Sequence, residues 1–141
     1  MHKIIIDANL WISFLIGKKL KSLENLCKNE NIFIIVSQKI IEEFIDVSSR
    51  EKIRKYVNQK DVGLALKVLN KFKRNIVVED VYVPKLTDPK DLYLFSLAKA
   101  AEADFLLTGD KGLLALGKFY KTEIVSYSEF IARLGEQEQE E

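Results

Sequence analysis

The sequence predicts an α/β domain of three layers, α/β/α, around a central parallel sheet of about five strands. Two observations carry this reading. Short apolar runs, too brief for helices, end in polar or acidic residues: Lys3–Asp7 (KIIID), Ile32–Val36 (IFIIV) and Phe105–Leu107 (FLL), the last closed by Thr108-Gly109-Asp110. Between them lie segments whose apolar residues recur at steps of three and four, the period of a helix with one buried face. Strands alternating with such helices form parallel sheets covered on both faces, so the strands read as unbroken apolar runs.

Each element follows in order. Ile4, Ile5 and Ile6 make a central strand closed by Asp7. Asn9-Leu10-Trp11 opens a helix to about Ile16, with Asn9 a candidate cap, and Gly17 ends it. Leu20, Leu23, Leu26 and Cys27 mark a second amphipathic helix. After the Ile32–Val36 strand, Ser37 caps a helix whose Ile40, Ile41, Phe44, Ile45 and Val47 fall mainly on one side, with Glu42, Glu43 and Asp46 interleaved. Val62, Ala65, Leu66, Leu69 and Phe72 define a further helix, and Ile76-Val77-Val78 reads as a third short strand. Asp88-Pro89 caps a helix carrying Asp91 in its first turn and Leu94, Leu97, Ala98 and Ala101 on its apolar face. The Phe105–Leu107 strand leads to a short helix from Lys111 to about Leu116 and a last strand around Ile124-Val125. Ser126 or Ser128 then caps a closing helix through Phe130, Ile131 and Leu134. One domain spans residues 1–134, and residues 135–141, rich in glutamate, are expected to be a disordered tail.

Composition bounds the function. At 141 residues, 48% hydrophobic and 30% charged, the chain has the make-up of an ordinary globular domain, and a net charge of +1 creates no global field for nucleic acid or membrane. Charge is unevenly spread: nine Lys/Arg lie between Arg50 and Asn75 against Glu51 and Asp61. Lys67, Lys71 and Arg74 stripe one helix and are candidate guides for a phosphate backbone, although a solvated face explains any single one more simply. Trp11, Phe14 and Phe72 lie on apolar faces and read as core or dimer residues, and His2 reads as part of a fraying terminus. The single cysteine, Cys27, fits a small buried hydrophobe in a reducing compartment. With no stretch approaching a membrane span, the expected location is cytoplasmic.

Chemistry gathers in the acids. Asp7 and Asp110 stand at the carboxyl ends of strands, where ligands of open α/β sheets bind. Asp91 begins a helix aimed at the same edge, and Glu43 can reach it from the helix after the second strand. Each has a plain alternative: Asp110 as a helix cap, Asp91 as a complement to the helix dipole, Glu43 as a solvent-facing neighbour of Glu42. Asp7 is the strongest, because a carboxylate closing a strand of isoleucines is costly to desolvate unless it is used. Asp88 reads as a cap and Asp104 as a turn residue. Four converging carboxylates repel one another, and a divalent cation relieves that conflict. Oxygen ligands without a His or Cys cluster favour Mg²⁺ or Mn²⁺ over zinc.

Three segments, IIIDANLWIS, SQKIIEEFIDV and DPKDLYLFSLAKAAEADFLLTGDKGLL, resemble in their order the PIN domain, the nuclease fold of VapC-type toxins in toxin–antitoxin pairs. Together they cover nearly the whole chain, and the last is the most specific. The resemblance implies a metal site formed by Asp7, Glu43, Asp91 and Asp110, with Glu43 chosen over Glu42 because an apolar residue, Phe44, follows it. Asn9 would orient Asp7 or touch a phosphate, and Thr108 matches the hydroxyl residue two before the last Asp. The implied activity is Mg²⁺- or Mn²⁺-dependent cleavage of RNA, by a homodimer held in check by a small antitoxin protein.

Rivals remain. A DNA-directed or structure-specific nuclease would use the same acids, and a PIN-like module could bind RNA or protein without cutting. A haloacid-dehalogenase-type phosphatase needs a second Asp two residues after the first, where this chain has Asn9. A receiver domain needs an acidic pair at the first strand and a phosphoacceptor after the third, where residues 76–80 offer Asp80 alone. No glycine-rich phosphate loop is present.

Overall fold

The computed structural model describes residues 1–140, with side chains through Glu136. Five strands form one sheet: β1 (His2–Ile6), β2 (Ile32–Ile34), β3 (Phe105–Leu107), β4 (Lys118–Phe119) and β5 (Thr122–Val125), in the order β2-β1-β3-β5-β4. The first four neighbours in that order are parallel, and β4 runs antiparallel to β5. Ile4, Ile5 and Ile6 are all buried although successive side chains point to opposite faces, so helices cover the sheet on both sides. The three-layer α/β/α expectation holds.

The helices are α1 (Ala8–Ile16), α2 (Leu20–Lys28), α3 (Gln38–Ser49), α4 (Glu51–Arg54), α5 (Gln59–Phe72), α6 (Leu92–Ala101), α7 (Lys111–Leu116) and α8 (Tyr127–Glu140). α1, α2, α3 and α5 pack on one another. Ser37 caps α3 as the sequence suggests, its Oγ accepting from the Ile40 N–H at 3.3 Å. α3 buries Ile40, Ile41, Phe44 and Val47, which leaves Glu42 exposed and turns Glu43 to the half-buried boundary of that face. Ser126, not Ser128, caps α8 by accepting from the Glu129 N–H at 3.1 Å. α8 continues to Glu140, through most of the segment that reads as a separate tail; Glu141 and the side chains beyond Glu136 lie outside the described residues.

Three assignments change. Ile76-Val77-Val78 is not a strand: the chain makes one parallel bridge, Val36 to Lys73, and the Arg74 N–H donates to the Val36 carbonyl at 2.9 Å before the chain leaves the sheet. β-Branched residues favour a strand only where a ladder awaits them, and Val77 is 92% exposed. The fifth strand is instead β4, half of a tight hairpin with Tyr120 in the left-handed region (φ 52°). His2 does not fray. It opens β1 and sets its ring edge-on to Phe105 and Phe130.

Trp11 is fully buried, and Phe14 packs edge-on against Tyr127 at 4.8 Å between centroids. Cys27 is buried, and burial, with Glu24 nearby, pushes its thiol up to about 12, a structural and not a reactive state. Among the described residues no helix is long and apolar enough to cross a membrane.

Candidate active site

Strand order alone locates the edge at which the candidate site lies. The chain passes from β1 to β2 on one side and returns to β3 on the other, so the topological switch lies between β1 and β3. Ile6 pairs with Leu107, and the Asp7 N–H donates to the Leu107 carbonyl at 3.0 Å, setting Asp7 beside Thr108 at the carboxyl edge.

Asp7 is 2% exposed. Its Oδ1 accepts from the Asn9 backbone N–H at 3.1 Å, which makes Asp7 itself the cap of α1. The assignment of Asn9 as cap is thereby corrected: the break from extended to helical backbone falls two residues earlier, at the acid. Asn9 orients Asp7 through its main chain, and its exposed side chain is left facing solvent. Asp7 Oδ2 accepts the Thr108 hydroxyl at 2.9 Å, and Thr108 Oγ1 accepts the Asp110 N–H at 3.1 Å. Thr108 is fully buried, so it fixes both acids with one atom.

Asp110 caps α7, accepting from the Leu113 N–H at 3.1 Å. Capping and membership of the acid cluster thus coincide. Gly112 matters here as a close approach: a Cβ on it would stand 3.1 Å from Asp110 Oδ1. Asp91 is the reverse case. Asp88 caps the 3-10 turn Pro89–Asp91 by accepting from the Lys90 N–H at 2.9 Å, and the Asp91 carboxylate makes no cap bond of its own.

Glu43 receives a hydrogen bond from the phenol of Tyr93, two residues after Asp91. That bond, and the charge coupling of Glu43 to Asp7 and Asp91, set Glu43 with the other acids, while Glu42 is exposed. Sequence reasoning missed Tyr93. Its signal was its position: a tyrosine one residue before the apolar face of a helix that begins with a candidate ligand.

The electrostatics record four acids crowded together. Burial raises the Asp7 carboxyl above its ordinary range against the pull of its two hydrogen bonds, and the charges of Glu43 and Asp110 add to the rise. Asp91 is pushed up to about 6 by burial, then by Asp7, Asp88, Glu43 and Asp110. Burial and the Glu43 carboxylate also hold the Tyr93 hydroxyl protonated, so it is a donor at any physiological pH. Asp104 lies apart, just before β3 at the opposite edge. There the Lys3 N–H at 2.9 Å and the Lys121 ammonium at 3.2 Å outweigh partial burial and keep its carboxyl below the usual range.

The donor set suits a hard cation: carboxylate oxygens, no thiol or imidazole, and mutual repulsion that a divalent charge would cancel. In this geometry, though, no three His, Cys, Asp or Glu side chains among the described residues stand close enough to grip an ion together. Two of the acids, Asp7 and Asp110, are also occupied as helix caps.

Of the basic residues singled out in the sequence, Lys67 and Lys71 line a hollow between α2 and α5 with Glu24 and Cys27. Arg74 lies elsewhere, in a hollow bordered by Tyr93.

A family model described as a PIN domain matches residues 3–112. That is most of the chain and includes all four acids, and the chain belongs to the PIN domain family. The fold is nuclease-type, and members of the family typically bind divalent metals. Among solved structures, the PIN domain of human SMG5 is similar, at 11% identity and a TM-score of 0.48, covering 94% of this chain and 98% of that one. No curated protein matches the sequence.

Proposed function

We propose that this protein is a metal-dependent endoribonuclease that hydrolyses RNA phosphodiesters and serves as the toxin component of a toxin–antitoxin pair. The observation that carries the nuclease reading is the meeting of Asp7, Glu43, Asp91 and Asp110 at the switch point, with Asp91 pushed up to about 6 by its neighbours. These four would hold Mg²⁺ or Mn²⁺. Such a cation, when bound, neutralises phosphate charge and supplies an activated water.

The chain's own residues have separate tasks. Thr108 and the Asn9 N–H fix the two oxygens of Asp7. Tyr93 aims Glu43, and Asp88 takes over the capping that would otherwise engage Asp91. The toxin role, the homodimer and the small antitoxin partner rest on the resemblance of the three sequence segments to VapC-type proteins.

The test is cleavage of labelled single-stranded RNA and its DNA equivalent in Mn²⁺, Mg²⁺ and EDTA, with Asp7→Asn beside the wild type. RNA cutting that needs the metal and is lost in Asp7→Asn supports the reading. Cutting of DNA alone would move the protein to the DNA-directed class, and cutting retained by pure Asp7→Asn would remove Asp7 from the site.

A further inference from the structure

A hollow of about 320 Å³ opens beside the acids and is built unlike them. None of the residues lining it is acidic. Gln38 and Lys39, from the first turn of α3, line it together with Arg74 and Asn75 from the irregular stretch after α5, and residues 76–78, Tyr93 and Leu97 supply its apolar wall. We infer that this hollow receives one unpaired nucleobase of the bound strand and reads its edge with the amides of Gln38 and Asn75. This rests on the nucleic-acid reading above and deepens it, from a cutting centre to a sequence-selecting one.

Four features support this occupant. First, the hollow adjoins the acids through Tyr93, whose ring walls it and whose hydroxyl donates to Glu43. Lys39 and Tyr93 also line a second hollow, of about 400 Å³, that contains Glu43 itself. Second, Lys39 and Arg74 enter no ion pair among the described residues, so both charges are available to phosphates on either side of a bound base. Arg74 is held in place by the ring of Phe33, 5.9 Å from its guanidinium carbon.

Third, each amide offers both a donor and an acceptor, the pattern with which Asn and Gln read base edges, and among the described residues neither side chain hydrogen-bonds the protein. Fourth, the apolar part of the lining includes the Tyr93 ring, and an aromatic ring suits the flat face of a base. Only an unstacked base can enter, which selects single strands over duplex.

The test compares wild type, the double variant Gln38→Ala/Asn75→Ala, and Arg74→Ala. Binding of labelled rA, rC, rG and rU homopolymers is read by fluorescence anisotropy in EDTA at low salt. Cleavage positions in a randomised single-stranded RNA are read in Mn²⁺. For wild type, one base should be preferred by about fivefold or more, the least a good bidentate contact gives. That preference should collapse in the double variant, the preferred homopolymer falling to the level of the other three, while its melting temperature stays near wild type. Arg74→Ala should weaken all four homopolymers alike and make the salt dependence shallower by about one phosphate contact.

Equal binding of all four bases by wild type, or a ranking that survives the double substitution, overturns the base pocket. The two readings fail separately. A ranking that collapses as expected in a protein that cuts nothing would uphold the pocket and remove the nuclease. Cutting with unchanged base preference would do the opposite.

Discussion

The phenol of Tyr93 donates to the carboxylate of Glu43, joining the first turns of α6 to the middle of α3 across fifty residues of sequence. Both side chains are half-buried, and Tyr93 fixes the direction of the Glu43 carboxylate, a candidate ligand. Tyr93→Phe keeps the ring and removes the pointer. Its expected effect is a roughly tenfold weaker Mn²⁺ affinity by calorimetry, at the low end for a residue supporting a metal ligand, with little change in melting temperature. An unchanged affinity would leave Tyr93 a packing residue only.

The same contact separates two adjacent glutamates. Glu43→Gln should lose metal-dependent cutting by two orders of magnitude or more, about 3 kcal/mol of barrier. Glu42→Gln, exposed and uncoupled from Asp7, should cut as wild type does. Parallel single-turnover assays decide between them, and the reverse ranking would reassign the ligand.

Stability should fall with rising pH in the metal-free protein. Asp91 titrates near 6 when folded and near 3.8 when unfolded, so between those values the folded chain holds more protons than the unfolded one. The unfavourable ionisation is absent below about pH 4 and complete above about pH 6, and Asp7, also raised, acts in the same direction. Thermal melts in EDTA across that window should show wild type losing ground relative to Asp91→Asn, with Mn²⁺ reversing the loss near neutrality. A constant difference between the two proteins would mean that neither burial nor the neighbouring acids raise Asp91.

Thr108→Val should be costly for so small a change. The methyl leaves Asp7 without one donor and the Asp110 N–H without its acceptor, both at the buried edge of the sheet. About 2 kcal/mol is expected from orphaned polar groups, visible as a drop of several degrees in melting temperature. Thr108→Ser, which keeps the hydroxyl, should recover most of it.

The sequence exposes what depends on local pattern. Ile4-Ile5-Ile6 and Leu106-Leu107 are buried on both faces and read as such, and the four acids lie at the edge that their strands and helices imply. It hides what depends on a distant partner. Ile76-Val77-Val78 has the composition of a strand, but the neighbouring edge offers Val36 one bridge and no ladder. Lys118-Phe119 has no such composition, yet pairs because the turn at Tyr120 folds it onto β5. Asp7 is legible as a candidate ligand and illegible as a cap, because a capping acid and a ligand acid look alike in sequence. Tyr93 needs Glu43, fifty residues away, before it means anything.

The stretch that fails to become a strand divides the molecule's labour. The acids are anchored on a sheet edge, on helix starts and, for Glu43, in the middle of α3, where a change of backbone would unsettle the core. Arg74 and Asn75 belong to a segment tied to the sheet by one bridge and one hydrogen bond. Substitutions and insertions there carry little cost to folding. With the hollow as the proposed base pocket and the acids as the proposed cutting centre, recognition and catalysis would change separately, and selection could act on them one at a time.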